Sequence, residues 1–562
     1  MARVTQVRVQ SQIGGAVRIA NGLSSRRLAA EVSGAANHDG AQPFVTRSLD
    51  VLPAVSLRSD EGSSMPYANS GPAGQAGSIG VGPLTAFAET WGFLHHSTDM
   101  WMSGNASPEA IRARAAHRLN TLVAHARRHS KFYRDVYHGL GPGRVPLEQL
   151  PVVTKSNLMA SFDDWVTRPE LKLGPLLEFT QDPARIGRPY MGQYAVWTSS
   201  GTTGTPGVFI QDPQALAVYE ALFAVRTGVD ARAMLRAISG GGRFAFTAAI
   251  DGHFSGITMW SRMCLLNPWM SRHTRAFSVL QSVQHVSEQL AGFAPEILTS
   301  YASELVALAE QQHEGRLALH LKGIWSGGET LSRRDRADIA GAFGCPVVDD
   351  YGASECLNIA YDCGCGALHL NRDWVILEAV DREGRPVPDG TASSTVLLTN
   401  LANFIQPIIR YDLGDSVTFL PEPCPCGSPL PALRVEGRCD DTICLERTDG
   451  KMEPVIPLAL CTAIEERAGV YRFQVVEEAA NHLMLRIDPG EATGDANAVA
   501  IRTEECIRGF CAELGAQNVF IRTDPEPPRV NPISGKLRRV CARQRPEATR
   551  PAAASVRPSQ SA

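Results

Sequence analysis

The chain has 562 residues, of which 54 are basic and 58 acidic, so its formal net charge is −4. This length exceeds what one hydrophobic core usually supports and predicts two or more domains. The near balance of charge argues against a surface dedicated to nucleic acid or anionic lipid, because such binding needs clustered positive charge. Hydrophobic residues make up 44% and charged residues 20%, as in globular proteins. No apolar run approaches the ~20 residues that a bilayer requires.

The 13 cysteines are unevenly distributed along the chain. Their density is below that of a disulfide scaffold and no secretory hydrophobic segment precedes them, so we expect a reducing, cytoplasmic environment. Eight of them fall in one stretch: Cys345, Cys356, Cys363, Cys365, Cys424, Cys426, Cys439 and Cys444. Such clustering raises the question of a metal site.

Residues 1–84 mix Arg, Gln, Ser and Gly without a sustained hydrophobic period. Such a segment buries too little apolar surface to offset the entropy of ordering, so we predict a disordered N-terminal extension. Its Arg-rich start, which lacks acidic residues, also fits a transit peptide, and Met65 is an alternative natural start. Order is predicted to begin near Leu84.

A helix is predicted to begin at Pro108, because Ser107 can cap it and Glu109 places negative charge in its first turn. Apolar residues then recur every three or four positions, at Ile111, Ala115, Leu119, Leu122, Val123 and Ala126. Farther along, strand-like runs alternate with helical patterns, which favours a large mixed α/β domain at 85–436. The strand-like runs are Tyr194–Trp197, Val208–Gln211, Val347–Asp349, Val375–Val380 and Thr395–Leu398, and the helical patterns include Ser287–Ala291 and Arg333–Phe343.

A short charged connector, 437–441, is predicted to precede a smaller α+β domain at 442–545. The predicted elements of this domain are helices over Pro457–Ala468 and Ala496–Leu514 and strands over Tyr471–Val476 and His482–Ile487. Residues 546–562 are rich in Pro, Ala, Ser and Arg, and we expect them to be unstructured.

One loop combines glycines with hydroxyl residues: Thr198, Ser199, Ser200, Gly201, Thr202, Thr203, Gly204, Thr205, Pro206 and Gly207. Glycines let the backbone approach an anion, successive N–H groups form a nest, and hydroxyls add neutral donors. The loop therefore predicts a phosphate ligand. A P-loop NTPase has lysine where Thr205 stands and a helix after the loop, whereas Val208–Ile210 predicts a strand. An ordinary surface turn is the alternative for this string alone.

Further motifs follow in order: Ser326-Gly327-Gly328-Glu329, Asp350-Tyr351-Gly352-Ala353-Ser354-Glu355, Arg410-Tyr411-Asp412-Leu413-Gly414-Asp415, Gly437-Arg438-Cys439-Asp440-Asp441 and Asn531-Pro532-Ile533-Ser534-Gly535-Lys536. With the hydroxyl loop, this series resembles the adenylate-forming superfamily of acyl-CoA synthetases, nonribosomal adenylation domains and luciferases. Phenylacetate-CoA ligases are the most similar members. The resemblance covers nearly all of residues 100–542 and includes Ser130–Arg134 and Leu150–Lys155.

The resemblance implies an α/β adenylate-forming fold, in which a large N-terminal mixed α/β domain is hinged to a small mobile α+β C-terminal domain. It also implies an ATP-dependent, AMP-forming acid–thiol ligase of the acyl-CoA synthetase type. Such an enzyme joins a carboxylic acid to AMP and passes the acyl group to a thiol, with coenzyme A (CoA) favoured. ATP, Mg²⁺ and CoA are the implied small molecules.

The resemblance also assigns roles to particular residues. Glu355 is expected to coordinate Mg²⁺, because oxygen ligands suit that hard cation. Asp415 is expected to accept hydrogen bonds from both ribose hydroxyls, and Lys536 to stabilise charge that develops on the α-phosphate. The expected adenine site is Gly327, Gly328, Asp350 and Tyr351, with further nucleotide contacts from Ser199, Ser200, Gly201, Thr202, Thr203, Gly204, Glu329, Gly352, Ser354 and Arg438. Thr202 and Thr203 are also expected to take part in catalysis.

Each assignment has an alternative from the residues alone. Glu355 and Lys536 could be solvated surface groups, and Asp415 could cap a structural turn. Arg438 and Asp440 match the family's hinge motif, in which a connector absorbs the rotation between two working states. Thr205 departs from the lysine that many relatives have, which leaves the strength of the pyrophosphate contacts open.

Paired sulfur and imidazole ligands predict a structural zinc site within 356–430. Cys363-Gly364-Cys365, His369 and Cys424-Pro425-Cys426 supply ligand types that favour tetrahedral Zn²⁺. Some phenylacetate-CoA ligases are similar here, and that likeness favours Cys363, His369, Cys424 and Cys426, with Cys365 as a substitute. The alternative is a group of free core cysteines.

The acid substrate is not readable from the sequence. Candidates to line an aromatic or apolar acid pocket are Tyr194, Trp197, Phe246, His253, Phe254 and Tyr301, and core packing is the alternative for all six. A carrier-protein thiol or an amine is an alternative acyl acceptor, and a non-catalytic nucleotide- or zinc-binding homologue is an alternative function. We expect no nucleic-acid or membrane partner, and the oligomeric state stays open.

Overall fold

A computed structural model describes the chain over residues 83–141, 143–199, 207–226, 242–438, 441–455, 457–488, 495–530 and 537–543. The extension predicted as disordered lies outside these residues except for its last two positions. The predicted C-terminal tail, 546–562, lies wholly outside them.

Two long helices, Pro83–Gly104 and Pro108–His129, begin the described chain. The Ser107 side chain accepts a hydrogen bond from the Ala110 backbone N–H at 3.3 Å, as expected of a capping residue. The six apolar positions predicted to face a core are all buried: Ile111, Ala115, Leu119, Leu122, Val123 and Ala126. The sequence prediction for this helix is confirmed.

Short elements lead from these helices to the first hairpin. They are helices Lys131–Val136, Lys155–Ala160, Phe162–Trp165 and Leu173–Thr180, and 3-10 turns Leu147–Gln149 and Pro183–Arg185. The helix that begins at Lys155 has a capping box, in which Thr154 and Asn157 satisfy each other's backbone N–H groups. This cap fixes the direction in which Lys155 leaves the helix start.

Strands β1 (Ala195–Thr198) and β2 (Val208–Gln211) pair antiparallel on either side of the hydroxyl loop. The prediction that this loop joins two strands, and not a strand and a helix, is therefore confirmed. Helix Pro213–Arg226 follows β2.

The next segment forms twelve strands and the helices between them. The strands are β3 (Phe244–Ala248), β4 (Thr274–Ser278), β5 (Ile297–Ser300), β6 (Gly323–Gly327), β7 (Val347–Ala353), β8 (Cys356–Asp362), β9 (Leu368–Leu370), β10 (Val375–Val380), β11 (Thr395–Asn400), β12 (Ile408–Asp412), β13 (Asp415–Phe419) and β14 (Ala432–Arg438). The helices are Ser255–Leu266, Pro268–His273, Val283–Phe293, Ala302–His313 and Arg333–Phe343.

Nine of these strands form one sheet, in the order β13-β14-β9-β8-β7-β6-β5-β3-β4. Its β4, β3, β5, β6 and β7 strands are parallel, whereas β8, β9, β13 and β14 join by antiparallel pairing. The carboxyl ends of parallel strands meet at one edge, where open α/β sheets place their ligand sites. Strands β10, β11 and β12 form a separate antiparallel sheet.

The C-terminal part has a sheet and a hydrophobic core of its own. Its strands are β15 (Ile443–Glu446), β16 (Met452–Val455), β17 (Arg472–Ala479), β18 (His482–Asp488), β19 (Phe520–Asp524) and β20 (Val540–Cys541), and its helices are Pro457–Ala463, which continues as a π-helical turn Ile464–Ala468, and Ala496–Glu513. Four strands form a sheet in the order β19-β18-β17-β20, and buried Phe473, Leu485 and Ile507 belong to the core beneath it. We name residues 441–543 the small lobe and residues 83–438 the large lobe.

The predicted strands and helices of both lobes are present, with ends that shift by a few residues. Gly437 and Arg438, where the predicted connector begins, form the end of β14 and pair with Ser416 and Asp415. Among the described helices, none combines the length and apolar character needed to cross a bilayer.

Candidate functional site

A cleft of about 1940 Å³ lies beside the carboxyl ends of β6 and β7. The large lobe supplies most of its wall, and the small lobe contributes residues such as Tyr471, Arg472 and Leu537. Most of the described residues predicted to bind nucleotide line this cleft: Ser199, Gly328, Glu329, Asp350, Tyr351, Gly352, Ser354, Glu355, Asp415 and Arg438. Folding therefore brings together motifs that are separated by more than two hundred residues.

The hydroxyl loop is closed at its base by two hydrogen bonds. The Ser199 backbone N–H donates to the Gly207 carbonyl at 2.9 Å, and the Gly207 N–H donates to Ser199 Oγ at 2.8 Å. The intervening residues 200–206, which include Ser200, Gly201, Thr202, Thr203 and Gly204, lie outside the described residues. Ser199 thus holds the two ends of the loop together at the cleft wall.

Lys155 is a site residue that the sequence analysis did not select. Its ammonium Nζ donates to Ser199 Oγ at 3.0 Å, and the side chain lines the cleft. Burial lowers the pKa of Lys155, while the nearby Glu355 charge opposes that shift. A cation therefore stands at the loop base, within the electrostatic reach of the predicted magnesium ligand. The only sequence signal for it was its place in the Leu150–Lys155 segment of the family resemblance.

Glu355 is almost fully buried and is oriented by a tyrosine. The Tyr411 hydroxyl donates to Glu355 Oε1 at 2.8 Å, and the Asn400 side chain donates to the Glu355 carbonyl at 3.0 Å. Burial raises the pKa of Glu355, and the Tyr411 hydrogen bond partly offsets this rise. A buried carboxylate on a cleft wall fits Mg²⁺, because a bound cation would favour its charged form.

Asp415 is also buried on the cleft wall, and two side chains fix its carboxylate. The Tyr351 hydroxyl donates to Asp415 Oδ2 at 2.7 Å, and Arg438 donates to Oδ1 at 3.1 Å. An ionised carboxylate can accept several hydrogen bonds at once, which is the chemistry that the predicted ribose contact needs. Burial, followed by the Asp415 charge, raises the pKa of Tyr351 well above its usual value. Tyr351 therefore stays neutral and holds its ring in a fixed plane.

Gly327 and Asp350 face each other across the parallel pair β6 and β7. A Cβ added at Gly327 would meet Asp350 Oδ1 at 2.6 Å, so a larger residue there would require this carboxylate to move. Gly328 has φ +77°, a left-handed conformation that glycine adopts without strain. Burial raises the pKa of Asp350 to about 7. The close approach of Asp350 to Gly327 and the left-handed backbone of Gly328 therefore shape the turn that we predict to contact adenine.

Glu329 differs from its neighbours in being held at both carboxylate oxygens by backbone N–H groups. Ser303 donates to Oε2 at 2.9 Å, and Leu537 of the small lobe donates to Oε1 at 3.0 Å. Leu537 directly follows the predicted catalytic Lys536, which itself lies outside the described residues, as does Asp440.

The four favoured zinc ligands meet near the rim of the same cleft. The ligand atoms of Cys363, His369, Cys424 and Cys426 all lie within 4.8 Å of one another. Cys363 and Cys424 sulfurs are 3.6 Å apart, and Cys426 Sγ is 3.2 Å from His369 Nε2. His369 Nδ1 lies 2.8 Å from the Leu430 carbonyl, which favours a proton on Nδ1 and leaves Nε2 as the ligand atom. Cys365 is exposed and outside this set.

Comparison with known proteins gives one curated relative and a set of solved structures; no protein-family model matches the chain. Protein CapK of Staphylococcus aureus is 23% identical over 310 residues, which span 53% of this chain and 61% of CapK. Two structures of 2-hydroxyisobutyryl-CoA ligase in the postadenylation state, with R3-HIB-AMP and with 2-HIB-AMP, match at TM-score 0.54. They are 21% and 22% identical, and each match covers 79% of this chain and 90% of theirs. The chain has the adenylate-forming fold.

The adenylate-forming fold confirms the predicted class, a mixed α/β architecture with a large sheet and helices. At this level of identity the structural likeness shows the fold alone. The more specific likeness to phenylacetate-CoA ligases stays a prediction from the motifs.

The aromatic residues considered for an acid pocket occupy another place in the adenylate-forming fold. Trp197 is buried in the main apolar cluster and donates from Nε1 to the Ser354 carbonyl at 2.8 Å. Phe246, Phe254 and Tyr301 pack in a second cluster. None of the six is among the described residues that line the cleft: Tyr194, Trp197, Phe246, His253, Phe254 and Tyr301. The acid pocket stays a prediction and core packing stays its alternative, because large aromatic side chains serve either purpose equally well.

Proposed function

We propose that this protein is an ATP-dependent, AMP-forming ligase that activates a carboxylic acid and transfers the acyl group to a thiol, with CoA as the favoured acceptor. The observation that carries this proposal is the convergence of Ser199, Glu355, Asp415 and Arg438 on one cleft, opposite the residue that follows Lys536. The motif order and the adenylate-forming fold support the same reaction.

In the first step, a substrate carboxylate oxygen attacks the α-phosphorus of ATP, and the bond from that phosphorus to the bridging oxygen breaks. Pyrophosphate leaves and an acyl adenylate remains. Lys536 would stabilise negative charge at the α-phosphate, and Lys155 would add a fixed positive charge at the loop base. Thr202, Thr203 and their neighbours would donate neutral hydrogen bonds to the phosphates.

Glu355 is the proposed Mg²⁺ ligand. When bound, Mg²⁺ neutralises phosphate charge and polarises the transferred group. The Tyr411 hydrogen bond holds one carboxylate oxygen of Glu355 and thereby orients the other. Because Glu355 is buried, its charged form has a high free energy unless a cation is bound nearby. Ionisation of Glu355 and binding of the metal are therefore coupled.

The nucleoside would bind along the rest of the large-lobe wall. Asp415, fixed by Tyr351 and Arg438, would accept the ribose hydroxyls. Asp350 and the Gly327-Gly328 turn would form the adenine cradle, with the Tyr351 ring as an apolar face. These residues bind and orient the substrate, whereas Lys536 acts on the reacting phosphate.

In the second step, the acceptor sulfur attacks the acyl carbonyl carbon, the bond to the AMP oxygen breaks, and AMP leaves. We propose that the small lobe turns about Arg438 and Asp440 between the two steps, which would withdraw Lys536 and admit the thiol. A carrier-protein thiol or an amine would require the same first step.

We also propose that Cys363, His369, Cys424 and Cys426 hold one structural Zn²⁺. Four ligand atoms without an open position are typical of structural zinc, which would tie the β8–β9 turn to the loop before β14. The contact of His369 Nδ1 with the Leu430 carbonyl would fix the orientation of the imidazole ring for such a site.

The decisive experiment is acid-dependent exchange of labelled pyrophosphate into ATP, tested over aryl, fatty and amino acids. We expect one class of acid to support exchange that requires Mg²⁺. Lys536→Ala should slow it by about 10²–10³-fold, whereas Lys451→Ala, at an exposed lysine of the small lobe, should leave it unchanged. Absence of exchange with every acid would refute the proposal and favour a non-catalytic homologue. Product analysis with CoA, a carrier protein and amines then identifies the acceptor.

A further inference from the structure

The loop predicted to carry Lys536 is braced at its base by Gln474, a residue of β17. The Gln474 side-chain nitrogen donates to the carbonyls of Arg529 at 3.2 Å and Arg538 at 3.0 Å, one on each side of the loop. Its oxygen accepts from the Arg529 N–H at 3.3 Å. Val530 and Leu537 form an antiparallel bridge between the same flanks. One buried amide therefore sets the spacing of both loop ends.

Gln474 is itself fixed by an ion pair within the small lobe. Arg486 donates to Gln474 Oε1 at 3.1 Å and to Asp524 at 2.9 Å. Gln474 is 5% exposed, so its amide has little freedom to turn away from these partners. All members of this brace belong to the small lobe and would move with the loop.

The opposite anchor of the loop is Glu329, which belongs to the large lobe. It follows the Gly327-Gly328 turn directly, and its Oε1 accepts the Leu537 N–H at 3.0 Å. Ser303, in the first turn of helix Ala302–His313, donates to Oε2 at 2.9 Å and holds the carboxylate in place. This bond joins the residue after Lys536 to the residue after the proposed adenine turn.

Two other contacts stabilise the same arrangement of lobes. Arg539 lies 3.8 Å from Asp335 of the large lobe and also pairs with Glu465 of its own lobe. The Arg334 guanidinium stacks 4.1 Å from the centre of the Tyr471 ring. Among these contacts, the bond from Leu537 to Glu329 is the one made by a residue adjacent to Lys536 in the chain.

We propose that Glu329 is a positioning residue that docks the small lobe, through the Leu537 N–H, against the nucleotide turn, and that Gln474 joins the two described chain segments on either side of residues 531–536. This proposal rests on the proposed function, which gives Lys536 its catalytic role. Rotation of the small lobe would break the bond from Glu329 to Leu537 but leave the Gln474 contacts intact. Glu329 therefore acts in the adenylation step, whereas Gln474 holds Arg529 and Arg538 together within the small lobe in either step.

The first test needs no substrate. Amide hydrogen exchange of the full-length protein, resolved at single residues, should show a protected Leu537 N–H. Glu329→Ala should speed its exchange by about tenfold, the effect of losing one hydrogen bond. Gln474→Ala should speed exchange at Arg529 as well. Asp381→Ala, which removes a similar carboxylate acceptor from an exposed turn, should change neither. Unchanged exchange at Leu537 in Glu329→Ala would overturn the docking.

The second test separates the two half-reactions. With the acid found by pyrophosphate exchange, Glu329→Ala should lower the kcat of exchange by about tenfold or more. Single-turnover transfer to CoA from a synthetic acyl adenylate should fall by a clearly smaller factor than exchange does. Glu329→Gln keeps one oxygen acceptor and should restore part of the exchange rate.

An equal loss in both half-reactions would show that Glu329 has a general structural role and overturn the proposal. If the wild type exchanges with no acid, the proposed function fails, while the amide exchange at Leu537 still decides the docking. Should Glu329→Ala not fold, Glu329→Leu provides both measurements, because its side chain has a similar size but offers no acceptor to the Leu537 N–H.

Discussion

The two walls of the cleft are built differently. On the large lobe, the carboxylates of Glu355 and Asp415 are buried and each is held by a tyrosine hydroxyl, Tyr411 and Tyr351. The small lobe contacts the opposite wall through the Leu537 N–H, the ion pair of Arg539 with Asp335 and the Tyr471 ring. The guanidinium of Arg334 from the large lobe lies over that ring. A wall of fixed acceptors suits binding, since its groups need no reorganisation. A wall held by a few polar contacts suits movement.

Removing the cation of the moving wall should have the largest effect. Lys536→Ala is expected to lower pyrophosphate exchange by about 10²–10³-fold, or ~2.7–4 kcal/mol of transition-state stabilisation. The affinity for ATP should stay close to wild type, because the large lobe supplies the nucleotide contacts. Exchange kinetics and calorimetric titration of ATP measure the two quantities. Equal losses in both would contradict the division between a binding wall and a reacting wall.

Removing the negative charge of Glu355 from the large-lobe wall should have the second largest effect on exchange. Glu355→Gln retains a partner for Tyr411 but removes the negative charge, so we expect about a hundredfold slower exchange. The Mg²⁺ concentration for half-maximal exchange should also rise, because a neutral amide is a weaker ligand for a hard cation. A magnesium titration of the variant beside Tyr411→Phe, which keeps the carboxylate, measures this. An unaltered magnesium dependence would remove Glu355 as the ligand.

Removing a ligand of the Cys/His cluster should affect the stability of the large-lobe wall. Protein purified without a histidine tag should contain close to one zinc per chain. Cys426→Ser should lose that zinc and on the order of 2 kcal/mol or more of unfolding free energy. Cys365→Ser is the matched control, since Cys365 is exposed and outside the ligand set. Metal analysis and thermal unfolding distinguish them, and zinc-free wild-type protein would defeat the site.

Lys155 should contribute less than Lys536, because it is fixed on the binding wall. Lys155→Met is expected to slow exchange by about tenfold and to raise the KM for ATP. Thr205→Lys in the Lys155→Met background should restore part of the loss if Lys155 supplies the charge that many relatives carry at position 205. No rescue, together with an unchanged KM in the single variant, would show that Lys155 serves only the loop base.

The smallest effect concerns the pH dependence of stability. Burial raises the pKa of Asp350 from 3.8 to about 7, so the folded protein retains a proton that the unfolded chain loses near pH 4. The unfolding free energy should therefore fall as pH rises through this window, and the loss should persist above pH 7. Asp350→Asn should flatten that fall and be about 1 kcal/mol more stable than wild type at pH 8. Urea unfolding across pH checks this, and parallel curves would contradict it.

Sequence patterns were sufficient for elements with strong local signals. The helix Pro108–His129 was predicted with its cap and its buried face, because both depend on residues within a few turns. Ligand chemistry alone predicted a zinc site from the paired cysteines and the histidine, whereas the choice of the four ligands came from the family resemblance. In contrast, none of the aromatic residues suggested for the acid pocket is among the described residues that line the cleft, and Lys155 was missed. A tryptophan in a core and one in a pocket look alike in sequence.

By itself, the sequence determined the order of the motifs, the hairpin that flanks the hydroxyl loop and the kinds of chemical group available at each turn. The tertiary structure alone decided which groups meet: Lys155 with Ser199, Glu355 with Tyr411, and Glu329 with Leu537. The physical reason is the separation along the chain over which each kind of interaction acts. Capping, periodicity and turn chemistry act over a few residues, whereas these pairs are 44, 56 and 208 residues apart and form only when the sheet and the small lobe are assembled.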